Sequence, residues 1–177
     1  DAKKYAAISE KAKKGFTKKY VFEDGTVDNE TQTAYLVALG FDLLPDEIRE
    51  KSFERFVKVL ENSGVYLRTG FLGTPLLTEV LTRYGRTDLA YRLLLNEGFP
   101  SWLYPITQGA TTMWERWNSY SHKTGFGDAG MNSFNHYAYG AIGEWLYKSV
   151  AGIWRDEANP GYKNIIFNPK LGGGITF

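Results

Sequence analysis

Cysteine is absent from this 177-residue chain, and histidine occurs only at positions 122 and 136. The first absence removes disulfides, thiolate nucleophiles and cysteine-based metal sites; the second leaves nothing for a histidine-rich metal site. Net charge is nearly absent as well, since 21 Lys and Arg stand against 20 Asp and Glu for a total of +1. Such a chain has no long-range field to draw in nucleic acid or an anionic membrane, and a neutral oligosaccharide suits it better than a polyanion. No run approaches the ~20 uninterrupted apolar residues that span a bilayer. Gly172-Gly173-Gly174 lacks the following Lys-Ser/Thr of a phosphate loop, and no GxSxG elbow or cofactor fingerprint occurs, so no cofactor is expected.

Aromatic residues are what the chain has in quantity. They make up 16% of it, as 12 Tyr, 11 Phe and 5 Trp, in a chain long enough to enclose a core. Helical spacing predicts a first helix with Tyr5, Ile8, Ala12 and Phe16 on one face and lysines on the other, a solvated charge run rather than a nucleic-acid patch. Asp28 is placed to cap a second helix reaching about Leu44, and Pro45 with Asp46 and Glu47 to open a third, closed by Gly64. A short extended piece follows at 65–67. Thr74-Pro75 and Thr87 open two further helices, ending at Gly85 and near Gly98. Residues 99–130 read as irregular. A last helix is expected from Asn132 or Ser133 to about Ile153, with Ile142, Trp145, Ser149 and Ile153 on one side. Residues 165–169 and 172–177 read as strand, turn, strand. Helices joined by short turns run antiparallel, so the class is all-α, a series of αα-hairpins.

Within the irregular stretch lies Trp114-Glu115-Arg116-Trp117. Indole faces suit the apolar C–H faces of a pyranose, and a carboxylate beside them is the usual reagent of glycosidic bond chemistry. A buried Glu–Arg pair bracketed by core tryptophans is the other reading of the same four residues. Arg116 is a potential charge partner for Glu115, although neighbours on an extended chain point to opposite faces. Trp114 and Trp117 are candidate sugar platforms. Trp102, pinned between Pro100 and Pro105, is either a third platform or a core anchor. Asn132 and Asn135 read as helix caps or ligand contacts, and His122 as an exposed loop residue.

Thr69 to Pro75, Thr87 to Leu94, Pro100 to Pro105, the Trp-Glu-Arg-Trp stretch and Met131-Asn132-Ser133-Phe134-Asn135-His136-Tyr137-Ala138-Tyr139-Gly140 resemble, in order and spacing, consecutive blocks of the α-L-rhamnosidases of glycoside hydrolase family 78. The resemblance runs from about Thr31 to the C-terminus. It implies the second half of an (α/α)6 barrel at 1–157, with 158–177 a linker and the first strands of a C-terminal β-sandwich. It also implies inverting hydrolysis of terminal α-L-rhamnosyl glycosides, with Glu115 as general base and His136 hydrogen-bonding a sugar hydroxyl. The family's general acid belongs to an acidic motif upstream, absent from this chain, so the chain alone is expected to be inactive. Its partner would be the remainder of the same polypeptide or a second copy. A bacterial cytoplasm or periplasm would suit such an enzyme. Two alternatives stay open: a polysaccharide lyase on an α/α toroid, with His136 and neighbouring tyrosines, and a non-catalytic carbohydrate-binding fragment.

Overall fold

The computed structural model describes residues 1–174; of the strand expected at 172–177, residues 175–177 lie outside them. The chain divides into two compact units, one to Leu76 and one from Leu77 onward. In the first, α1 (Ala2–Tyr20) buries none of its residues, and Tyr5 and Ile8 stand exposed. Asp28 does not cap the second helix. Its carboxylate accepts from the Asn29 N–H, and Asn29 and Glu30 take left-handed φ values of 67° and 41°, so the chain turns once more first. Thr31 then caps α2 (Gln32–Gly40), its hydroxyl accepting from the Ala34 N–H at 3.2 Å. This helix is apolar on most sides and accordingly buried: Tyr35, Leu36, Ala38 and Leu39 are all at 0% exposure.

Helix α2 ends at Gly40 rather than near Leu44. Asp42 adopts φ 51°, and the Leu43 N–H returns to the Ala38 carbonyl at 2.9 Å, a hydrogen-bonded stop that satisfies the last turn. Pro45 stands just outside α3 (Asp46–Asn62), whose first turn carries Asp46 and Glu47 where the helix dipole favours negative charge. Its buried stripe of Phe53, Phe56, Val57 and Leu60 packs with α2 as a helical hairpin. Gln32 crosses between segments: its amide donates to the Tyr66 carbonyl at 3.0 Å and accepts from the Arg68 N–H at 3.0 Å. That amide holds the 65–68 segment, which has no strand partner among the described residues.

The second unit begins within α4 (Thr74–Arg83), at Leu77, and continues through α5 (Thr87–Leu94), the two helices linked by Gly85 at φ +79°. Leu77, Val80 and Leu81 of the first helix and Leu89, Ala90, Tyr91 and Leu93 of the second are buried. Residues 99–130 are not featureless. They hold a short α6 (Leu103–Thr107) and a hairpin of β1 (Tyr120–Ser121) with β2 (Gly125–Phe126).

The last helix starts later than its sequence pattern indicates. It enters as a 3₁₀ turn at Ala138–Ala141, becomes α7 (Ile142–Trp145) and runs out as a π-helical segment, Leu146–Val150. Residues 132–136 cannot join it because their polar groups are bonded elsewhere, to residues 112–119. Trp145 is the anchor, at 2% exposure, with its indole N–H donating to Thr82 Oγ1 at 2.8 Å and its ring edge-on to Tyr91 at 5.2 Å.

Ile153 belongs to a strand, not to that helix: β3 (Ile153–Arg155) pairs antiparallel with β4 (Ile165–Phe167), Trp154 opposite Ile166. The returning chain is fastened by Lys170 N–H to Ser149 O at 2.7 Å and by the Tyr91 hydroxyl to Lys170 O at 2.7 Å. Gly152 makes this return possible. Its φ is +69°, and a Cβ there would sit 2.1 Å from the Pro169 nitrogen and 2.4 Å from the Asn168 carbonyl carbon. Gly152→Ala should therefore cost about 3 kcal/mol locally, combining left-handed strain with overpacking. The check is amide exchange, which should accelerate across 153–155 and 165–167. Gly140→Ala, where a Cβ meets nothing within 4 Å, should leave exchange there unchanged.

Candidate active site

After α6, Gly109 at φ +88° reverses the chain and sends residues 112–115 alongside 133–136. The two segments are laced by Glu115 N–H to Ser133 O at 2.9 Å and His136 N–H to Met113 O at 2.8 Å, with the Thr112 hydroxyl bonded to Phe134 O. Immediately afterwards the chain turns at 116–119, where the Ser119 N–H returns to Arg116 O at 3.2 Å. Glu115 thus sits at the end of a paired segment and before a hydrogen-bonded turn, so its backbone is held from both sides.

The Glu115 side chain is half-buried. Its Oε2 accepts from the Ser133 N–H at 2.8 Å, a charge-assisted bond that fixes the plane of the carboxylate. The other oxygen, Oε1, has no hydrogen bond among the described residues. Arg116 is directed elsewhere: its guanidinium is 4.0 Å from Asp128 Oδ2. Asp128 in turn accepts from the Gly130 N–H at 2.9 Å and shapes the loop. Asp88 is held by Arg86, whose side-chain hydrogen bond and charge keep the carboxyl below its ordinary value. A group held ionised in this way is unsuited to act as a general acid.

The three tryptophans are buried: Trp102 at 6%, Trp114 at 5% and Trp117 at 8% exposure. Trp117 stacks on Tyr139 with centroids 3.7 Å apart and is met edge-on by Trp102 at 5.9 Å. The Trp102 indole N–H donates to the Tyr139 carbonyl at 3.0 Å, which makes Trp102 a core anchor. Burial also pushes the Tyr139 phenol up from its ordinary value. Trp114 packs edge-on against Phe134 at 5.3 Å, across the laced segments. Rings packed in this way form an aromatic support around the Glu115 segment.

His136 lies two residues before the 3₁₀ turn rather than in a first helical turn, and is half-buried. Its Nδ1 accepts from the Ala138 N–H at 3.3 Å, which assigns the neutral ring the tautomer with the proton on Nε2, a donor. Tyr137 lies parallel to the imidazole, 5.4 Å between centroids. Asn132 is neither a helix cap nor turned outward. Its Nδ2 donates to Ser119 O at 2.9 Å, tying residue 132 to the 116–119 turn, and its Oδ1 is buried without a partner among the described residues. His122 is exposed, and the Asn135 N–H donates to the Ser133 hydroxyl oxygen at 3.2 Å.

Two groups gain importance that their residue types did not announce: the backbone N–H of Ser133, and Ser119, fully buried beneath the turn. The only local signal for the latter is a polar Asn118-Ser119 pair where a turn would end. Among the described residues no group of three or more His, Asp or Glu could hold a metal ion. Cavities of about 500 and 400 Å³ open beside α1 and beside Trp154; neither is lined by Glu115 or His136.

Comparison with known proteins identifies the family. The family model described as the bacterial α-L-rhamnosidase six-hairpin glycosidase domain matches residues 1–150. An α-L-rhamnosidase of Streptomyces avermitilis is 48% identical over 176 residues, 99% of this chain and 17% of the relative, and one of Alteromonas sp. is 48% identical over 179 residues, 100% and 19%. The crystal structure of the Streptomyces avermitilis α-L-rhamnosidase complexed with L-rhamnose superposes with a TM-score of 0.94 at 47% identity, covering 99% of this chain and 17% of that one. The native α-L-rhamnosidase of Aspergillus terreus does so with a TM-score of 0.89 at 38% identity, covering 98% and 20%. The chain thus spans about a fifth or less of the length of these relatives, and its αα-hairpins are part of a six-hairpin α/α domain. The chain belongs to the bacterial α-L-rhamnosidase six-hairpin glycosidase domain family.

Proposed function

We propose that this chain supplies the general base and part of the sugar pocket of an α-L-rhamnosidase that hydrolyses terminal α-L-rhamnosyl glycosides with inversion and without a cofactor. The observation that carries the proposal is the half-buried Glu115 carboxylate, with Oε2 oriented by the Ser133 N–H and Oε1 without a partner among the described residues. A base needs that combination: one oxygen fixed, the other able to accept a proton from water. In an inverting glycosidase the base stands roughly 6.5–9.5 Å from the acid that protonates the leaving oxygen. That acid comes from the remaining polypeptide, in an acidic motif upstream, and the same polypeptide (or a second copy of this chain) covers the exposed stripe of α1. The chain alone is then inactive. Residues 1–157 belong to the helical domain in this reading, and 158–177 lead into a following β-domain.

In this reading His136 donates a hydrogen bond to the sugar. With Nδ1 accepting from the Ala138 N–H, the neutral imidazole carries its proton on Nε2. The buried indoles of Trp102, Trp114 and Trp117 keep the loop rigid beneath these two residues, and sugar stacking falls to aromatic groups elsewhere in the intact enzyme.

In the intact enzyme Glu115→Gln should retain the fold and sugar binding while turnover falls by ~10²–10⁴-fold, the usual contribution of a positioned base. Hydrolysis of an aryl α-L-rhamnoside at close to the wild-type rate would remove Glu115 from the mechanism. His136→Ala should raise KM and lower kcat through loss of a positioning bond, and its pH–rate profile should keep both limbs, since the two carboxyls set them. Disappearance of one limb in this variant would make His136 a titrating catalytic group instead.

A further inference from the structure

Ser119 is fully buried, and all of its polar atoms are engaged. Its N–H and hydroxyl both donate to Arg116 O, at 3.2 and 3.1 Å, while the hydroxyl oxygen also accepts from the Arg116 N–H at 3.2 Å. This closes the turn that follows Glu115. The Ser119 carbonyl accepts from the Gly127 N–H at 2.8 Å and from Asn132 Nδ2 at 2.9 Å. From Asn132 the chain passes directly to Ser133, whose N–H holds Glu115 Oε2 and whose carbonyl accepts from the Glu115 N–H.

The path is therefore a closed ring: Glu115, the 116–119 turn, the Ser119 carbonyl, the Asn132 amide, Ser133, and back to the carboxylate of Glu115. Packing around it is tight. A Cβ on Gly127 would lie 3.3 Å from the carbonyl oxygens of Asn118 and Ser119 and 3.5 Å from Asn132 Nδ2, so a side chain there would press on both bonds to the Ser119 carbonyl. Asn132 keeps a buried Oδ1 without a partner among the described residues, which leaves its donor as the polar role the amide performs.

We infer that Ser119 and Asn132 are positioning residues for the base, acting through Ser133 to aim the Glu115 carboxylate. The inference rests on the reading of Glu115 as that base. In this inference both residues act through the backbone around Glu115. Ser119 sets where the backbone leaves Glu115, and Asn132 sets where the N–H that grips Oε2 stands. A displacement of about 1 Å at a reacting group costs on the order of 10²-fold in rate, so loosening either half of the ring reaches the chemistry without removing any reacting atom.

A double-mutant cycle in the full-length enzyme tests this, with an aryl α-L-rhamnoside as substrate. Asn132→Ala alone should lower kcat by roughly tenfold or more while KM stays within about threefold, the pattern of an interaction used at the chemical step. In the Glu115→Gln background the same substitution should have no further effect, because no base remains to be aimed. Asn132→Asp, nearly isosteric, sets a carboxylate oxygen against the Ser119 carbonyl and should be at least as impaired as Asn132→Ala. Equal losses in both backgrounds would mean general damage to the fold and overturn the inference, as would a wild-type kcat for Asn132→Ala. Wild-type turnover by Glu115→Gln is a separate result that rejects the base assignment itself. Should Asn132→Ala fail to fold, Ser119→Ala, which keeps the carbonyl bonds and loses only those of the hydroxyl, takes its place in the same cycle and is judged by the same outcomes.

Discussion

The bond from the Ser133 N–H to Glu115 Oε2 is the contact on which the candidate site depends. A backbone amide is an obligatory donor, and at Ser133 it orients a half-buried carboxylate that would otherwise rotate among several rotamers. The neighbouring carbonyls delay the last helix to Ala138: those of Ser133 and Phe134, which a helix starting there would need for its own N–H groups, are taken by the Glu115 N–H and the Thr112 hydroxyl. The lacing of 112–115 with 133–136 supplies the geometry for both, and the reversal at Gly109 brings the segments together.

The aromatic content holds this loop in place. A segment without regular secondary structure is held only if its side chains bury enough area to offset the entropy of ordering it. Trp102, Trp117 and Tyr139 form one stacked and edge-on cluster, and Trp114 with Phe134 forms a second contact across the laced strands. Edge-to-face and offset pairs of this kind contribute about 0.5–1.5 kcal/mol each beyond the area they bury. Tyr139 joins the two tasks, because its ring stacks on Trp117 while its carbonyl receives the Trp102 indole N–H. The loop is rigid for the reason a core is rigid, and Glu115 inherits that rigidity.

The helical hairpins were legible in the sequence wherever local signals agreed with burial. The stripes Phe53, Phe56, Val57, Leu60 and Leu77, Val80, Leu81 lie where the spacing puts them, and Gly64 and Gly85 end their helices in left-handed conformations. Disagreements arose where a distant partner competed. Asp28 reads as a cap but bonds its own neighbour, and Thr31 takes the role. Residues 132–136 have helical spacing but are claimed by residues up to two dozen positions earlier, a pairing no local pattern encodes. Glu115 was visible as a carboxylate between indoles, and His136 through its family motif. The turning inward of Asn132 and the burial of Trp102, Trp114 and Trp117 were not visible, because both depend on which segments meet across the loop.

The base role proposed for Glu115 carries one stereochemical consequence. A base that activates water on the face opposite the leaving group must deliver the sugar with its anomeric configuration inverted. Proton NMR of the intact enzyme acting on an α-L-rhamnoside, recorded before mutarotation, measures this directly. Water activated by Glu115 in an inverting reaction requires β-L-rhamnose as the first sugar product, with the α-anomer growing in afterwards. Initial formation of α-L-rhamnose would contradict the general-base role of Glu115.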